Sequence, residues 1–262
     1  MKKMVLFDLD DTLLWDKKSV QRAFALTCQQ AEKKTGINPE ELEENVRKRA
    51  RELYASYSTY AFTQKIGINP FEGLWATFAE DPGEGFAKLR AIAPDYQEAA
   101  WLEGLKDSGM DDLELAKQLA RAFRDNRMKS PVLFEDAIAV LAELKKKYRL
   151  ALITNGSPSL QHLKLQISPE LTPYFEKIFI SGNIGTGKPD PQIFYDCLEK
   201  LGIDPGDAVM VGDNLHTDIL GANRTGIDSV WLNRFDAERD PAVEPRYEIK
   251  SLEELKTILE AS

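Results

Sequence analysis

Asp8 and Asp10 close a short apolar run, Met4–Leu9, and are followed at once by Asp11 and Thr12. An extended strand would point residues two apart the same way. Carboxylates clustered at a buried strand end repel each other and are costly without a cation. A hard divalent ion with oxygen ligands is the simplest compensation, and Mg²⁺ fits best. A second run ends in Thr154-Asn155-Gly156-Ser157-Pro158, where Ser157 is a good N-cap and Pro158 a good first helical residue. A hydroxyl and open backbone N–H groups ahead of a helix suit an oxyanion. Lys188 follows the turn Gly185-Thr186-Gly187, and because Pro189 comes next the P-loop pattern is absent. A further run ends in Gly212-Asp213, with Asp218 five residues on. Each fragment alone is ordinary. Together they supply a nucleophile, an acid/base, metal ligands and a phosphate clamp.

The elements that must position these groups alternate in texture. β-rich apolar runs stand at Met4–Leu9, Arg149–Thr154, Lys177–Ser181, Ala208–Val211 and Ser229–Leu232, and most precede a segment with helical spacing. Continuous apolar strands alternating with helices predict a parallel sheet covered on both faces, a doubly wound α/β fold. Ligands bind at the carboxyl ends of the strands in such sheets, which is where the polar clusters fall. Residues 16–130 read as all-helical, with helices expected over Ser19–Lys34, Glu40–Tyr60, Asp95–Trp101 and Asp111–Met128 and breaks at Gly36–Pro39, Gly67–Pro70 and Asp81–Gly85. The expected division is therefore an α/β core of residues 1–15 and 131–262, and a smaller helical domain of residues 16–130. The tail should form a short strand and then a helix, Ser251–Leu259.

The 262 residues suffice for one large or two modest domains, and 43% hydrophobic content excludes a disordered chain. A net charge of −9 argues against a general role on nucleic acid or anionic lipid. Two cysteines, Cys28 and Cys197, and two histidines make a zinc cluster a poor fit and suit buried thiols in a reducing cytoplasm. The apolar stretch after Met-Lys-Lys reaches Asp8 too soon for a signal peptide, and no later run is long enough to span a bilayer. The composition suits a monomer or a homodimer equally.

In order along the chain, Asp8-x-Asp10-x-Thr12, Thr154, Lys188 and Gly212-Asp213-x-x-x-x-Asp218 resemble the four signatures of the haloacid dehalogenase superfamily. The resemblance covers the whole α/β portion. It implies that Asp8 attacks phosphorus to give an aspartyl-phosphate, with Asp10 as general acid and then general base. It implies Mg²⁺ held by Asp8, the Asp10 carbonyl, Asp213 and Asp218. Thr154 and Lys188 would bind phosphoryl oxygens, with Thr12 and Asn155 as further substrate-binding residues, and Lys188 would also restrain Asp8. Residues 16–130 match the helical cap that many members insert between their first two signatures.

The cap carries no readable motif. Arg47-Lys48-Arg49-Ala50-Arg51 shares a helix with Glu40–Glu44 and reads as a solvated face, and Phe71, Trp75, Phe78 and Phe86 read as cap core. Trp15-Asp16 is the better-placed flap candidate. The stretch Phe7–Asp16 with this cap length is similar to bacillus-type members that act as phosphoserine phosphatases; phosphoglycolate, nucleotide and sugar phosphates are the other substrate classes. The alternatives are a phosphomutase or a dehalogenase on the same fold, or a noncatalytic binding module. Asp10, Asp213 and Asp218 speak against a dehalogenase, which needs neither Mg²⁺ nor that acid, and a noncatalytic chain would be free to lose Asp8 or Lys188.

Overall fold

The structure is a computed structural model that describes residues 2–261. Its sheet holds six parallel strands: β1 (Met4–Phe7), β2 (Arg149–Thr154), β3 (Lys177–Ile180), β4 (Ala208–Gly212), β5 (Asp228–Leu232) and β6 (Tyr247–Ile249), in the order β3-β2-β1-β4-β5-β6. The fold is the doubly wound α/β sheet that the run pattern led us to expect. Every residue of β1 is buried, as a strand covered on both faces requires. Met4 and Leu6 pack with Ala151, Ile153, Met210 and the helix Pro191–Leu201 through Ile193, Phe194 and Cys197. The chain lays down β2 and β3 on one side of β1, then crosses to place β4 on the other. The strand order therefore reverses between β1 and β4, and Phe7 pairs in register with both Leu152 and Val211.

Contacts divide the chain into two compact units: Met1–Trp15, Leu133–Gly156 and Ser168–Ser262 form one, and Asp16–Val132 with Ser157–Ile167 form the other. The second unit is helical. Its long helices are Asp16–Thr35, Pro39–Ser56, Glu84–Asp107 and Leu113–Met128. The sequence reading shortened the third of these to Asp95–Trp101. Pro94 removes one backbone donor there, yet the helix runs through it, with Phe86, Leu89, Ala93, Tyr96, Ala100, Trp101 and Leu105 all buried on the core. Trp75, Phe78 and Phe86 belong to that same core, with Phe71 packed against it.

The helix Pro158–Gln166 belongs to this unit as well, whereas its place in the chain had put it in the α/β core. Leu160 enters the helical core. Asp81 accepts from the Ser157 and Ser159 hydroxyls at 2.5 and 2.9 Å and from the Ser159 N–H at 2.7 Å, which anchors the helix start. Farther along, Lys164 pairs with Glu72 at 2.7 Å, with side chains 3% and 4% exposed. A second buried pair joins Asp16 to Arg127 at 2.6 Å, and the Arg127 guanidinium lies over the Trp75 ring. Burial opposes ionisation of Asp16, but Lys164 and Arg127 outweigh it and hold the carboxyl below its usual range. Both cysteines are buried, and burial pushes their thiols up to about 12.

Removing one partner of a buried ion pair leaves an uncompensated charge, at a cost of roughly 3–5 kcal/mol. Lys164→Met is expected to lower the unfolding free energy by that amount in a denaturant titration, and a loss below about 1 kcal/mol would show that Glu72 finds other compensation.

Candidate active site

The segment after β1 turns sharply back on itself. Leu13 and Leu14 both donate to the Leu9 carbonyl, Asp11 takes a φ of 61°, and the Asp11 N–H bonds to the Leu14 carbonyl. This turn holds Asp8 at the mouth of the sheet, with its N–H bonded to the Val211 carbonyl of β4 at 2.9 Å. It also folds Thr12 back over Asp8. The Thr12 hydroxyl, wholly buried, donates to Asp8 Oδ2 at 3.1 Å and accepts the N–H of Asp213 at 3.1 Å. One hydroxyl thus ties the loop after β1 to the loop after β4.

Lys188 supplies the positive charge. Its ammonium lies 2.6 Å from Asp8 Oδ1, 2.7 Å from Asp218 Oδ1 and 2.7 Å from the Ile153 carbonyl, and it is almost fully buried. Burial works against the charged amine, but the carboxylates of Asp218 and Asp8 outweigh it and hold the lysine above its usual pKa. For Asp8, burial is the largest influence and raises the pKa to about 6; Lys188 opposes the rise and Asp218 adds to it.

Asp213 follows β4, and its carbonyl accepts the Trp231 indole N–H at 2.8 Å. Trp231, fully buried in β5, was read from sequence only as an apolar strand residue; no local signal marks it as a support for Asp213. Asp218 lies in a single wide, π-type turn, Leu215–Ile219, ahead of the helix Leu220–Thr225. Its Oδ2 accepts the Asn214 N–H at 3.1 Å, and its carboxylate packs directly over Gly212. Oxygens of Asp8, Asp213 and Asp218 all lie within 4.8 Å of one another. An all-oxygen, multiply anionic donor set of this kind fits a hard divalent cation such as Mg²⁺. Asp10 is half-buried and stands outside this trio; the contribution expected of it there was its backbone carbonyl.

The remaining expected residues sit beside the cluster. Thr154 ends β2, buried, with its hydroxyl 3.5 Å from the Asn155 carbonyl. The Asn155 carboxamide bonds to both main-chain groups of Lys188. Thr12 and Asn155, expected to bind substrate, thus have protein groups as partners. His216 is largely exposed and its imidazole is 3.6 Å from Asp240. In the helical unit the basic run is not the solvated face expected of it: Arg47 pairs with Glu43 on its own helix but lies over the Phe24 and Phe71 rings, and Arg49 pairs with Asp107 of another helix.

Residues 2–226 match the haloacid dehalogenase-like hydrolase family. The chain is 37% identical over 254 residues to the phosphoserine phosphatase of Thermus thermophilus, covering 97% of each. It is 36% identical over 184 residues to the N-acylneuraminate-9-phosphatase of Mus musculus, covering 68% of this chain and 73% of that one. Among solved structures, the magnesium-bound HAD-hydrolase YfnB of Bacillus subtilis aligns with a TM-score of 0.68 at 24% identity, over 98% of both chains, and shares the fold.

Gly212 provides a direct test of the site's packing. A Cβ there would lie 2.3 Å from the Asp218 carboxyl carbon, so the side chain of Asp218 would have to move. Gly212→Ala is expected to cost about 1–3 kcal/mol of stability through overpacking and on the order of 10²-fold in kcat, as for a misplacement of about 1 Å. Thermal unfolding and steady-state kinetics read the two effects; an unchanged kcat would place Asp218 outside the reaction.

Proposed function

The chain belongs to the haloacid dehalogenase-like hydrolases and is a phosphatase; we propose that it hydrolyses small phosphate monoesters, phosphoserine foremost, through an aspartyl-phosphate on Asp8. The observation that carries this reading is the buried Lys188 ammonium bridging Asp8 and Asp218 at the point where the strand order reverses. Thr12 and Lys188 each hold one oxygen of Asp8, which fixes the carboxylate plane for in-line attack on phosphorus. Lys188 and the Thr154 hydroxyl take the non-bridging phosphoryl oxygens. Asp10 gives a proton to the leaving alkoxide and then removes one from the water that cleaves the acyl phosphate. Asp16 of the flap candidate Trp15-Asp16 is held ionised by Lys164 and Arg127 despite its burial and is a poor proton donor.

Mg²⁺ would be held by Asp8, the Asp10 carbonyl, Asp213 and Asp218, and when bound supplies charge neutralisation for the phosphoryl group. Phosphoserine is favoured because the Thermus thermophilus enzyme matches the chain along nearly its whole length. N-acylneuraminate 9-phosphate is the second candidate, from a match over about two thirds of the chain. The two buried thiols suit a reducing compartment, and we place the enzyme in the cytoplasm. Among the described residues, no helix is long and apolar enough to cross a membrane.

A panel of phosphate monoesters assayed with Mg²⁺ and with chelator tests substrate and metal together. Phosphoserine should rank among the best substrates, chelator should abolish turnover, Mg²⁺ should restore it and Ca²⁺ should restore it poorly. Turnover of other esters but not phosphoserine removes the substrate assignment; full activity in chelator removes the metal.

Asp10→Asn separates the two proton transfers. With an alkyl ester the first step should slow by roughly 10²–10⁴-fold. An aryl ester, whose leaving group departs unaided, should be spared in that step and should show a nitrophenol burst approaching one equivalent, followed by slow turnover. Equal losses for both esters and no burst would take the acid role away from Asp10.

A further inference from the structure

Asn155 does something in this fold that its position beside Thr154 does not suggest. Its Oδ1 accepts the Lys188 N–H at 2.8 Å, and its Nδ2 donates to the Lys188 carbonyl at 2.9 Å. A side chain here reproduces the paired exchange that one strand residue makes with another, on a lysine that lies in no strand or helix. The approach is close enough to require glycine next door: a Cβ on Gly187 would come within 2.6 Å of Asn155 Oδ1. From that anchored backbone the lysine reaches Asp8, Asp218 and the Ile153 carbonyl. The loop's own bonds, from Asp190 N–H to the Gly187 carbonyl and from the Thr186 hydroxyl to Asp190, close the turn on itself. The carboxamide of Asn155 ties it to the end of β2.

We propose that Asn155 is a positioning residue, whose carboxamide docks the Lys188 backbone on the end of β2 so that the ammonium stays between Asp8 and Asp218. The proposal rests on the role given above to Lys188. A lysine side chain is flexible and strongly hydrated. Holding its charge in a buried site therefore depends on where its backbone is fixed, and Asn155 acts on the reaction through that placement rather than through the substrate.

The test uses the full chain with Mg²⁺ and two readouts. The first is the rate at which acetic anhydride acetylates Lys188, measured by peptide mass spectrometry, with buried Lys164 of the helical unit as internal reference. Asn155→Ala should raise Lys188 acetylation by about tenfold to a hundredfold, the effect of losing two hydrogen bonds of ordinary net strength, and leave Lys164 unchanged. Asn155→Asp, which keeps the acceptor for the Lys188 N–H, should give a smaller rise. A parallel rise at Lys164 would mean general unfolding, and the Asp variant then carries the comparison. The second readout is a double-mutant cycle on kcat/KM for p-nitrophenyl phosphate with Lys188→Arg. If Asn155 works through Lys188, the two losses overlap and do not multiply. Unchanged Lys188 acetylation, or losses that multiply, would overturn the proposal and leave Asn155 a direct substrate contact. Full activity in Lys188→Arg would instead overturn the catalytic role of that ammonium, while the acetylation rates still report on the docking.

Discussion

One ammonium, that of Lys188, governs the arrangement of the site. Buried without partners, a lysine would give up its charge or unfold its surroundings. Here it draws in Asp8 from the end of β1, Asp218 from beyond β4 and the Ile153 carbonyl from β2, so a single charge pins the ends of three adjacent strands. The compensation is deliberately incomplete in number: one cation faces two carboxylates directly, with Asp213 close by. On the proposed mechanism the excess negative charge would receive a divalent cation, and the lysine would keep Asp8 aligned while cation and phosphate exchange. The supports around it share a pattern. Thr12 fastens Asp8 to Asp213, Trp231 holds the Asp213 carbonyl and the bare face of Gly212 leaves space for Asp218.

Much of this was legible in the sequence, because chemistry in a parallel sheet gathers at strand ends and strand ends can be read from where apolar runs stop. Asp8, Lys188, Asp213 and Asp218 were placed on that ground, and the structure brings them together. The supports were illegible for an equally physical reason. Whether a threonine hydroxyl faces substrate or a backbone N–H two hundred residues away depends on register, which no local pattern carries. Trp231 looked like any buried strand residue, and Asn155 looked like one more polar loop residue. In the helical unit, proline and glycine punctuation shortened the helix Glu84–Asp107, because tertiary burial of its apolar face overrides the local penalty at Pro94. The helix Pro158–Gln166 was assigned by its neighbours in the chain, while its own side chains, Leu160 in the core and Lys164 on Glu72, assign it to the helical unit.

The order of the strands has a consequence for synthesis. β1 lies inside the sheet, yet the strands on its two sides come far later in the chain: β2 begins at Arg149 and β4 at Ala208. A chain growing at ~5–20 residues per second exposes Met4–Phe7 and Asp8 for about 7–30 s before Arg149 opens β2. During that interval the helical unit can acquire most of its own core, all but the Pro158–Gln166 segment, from contiguous sequence. The apolar first strand has no partner to pair with. Its shortness, four residues with three aspartates among the next four, is therefore a safeguard: a brief, charge-terminated strand is a weak template for association while it waits for its sheet.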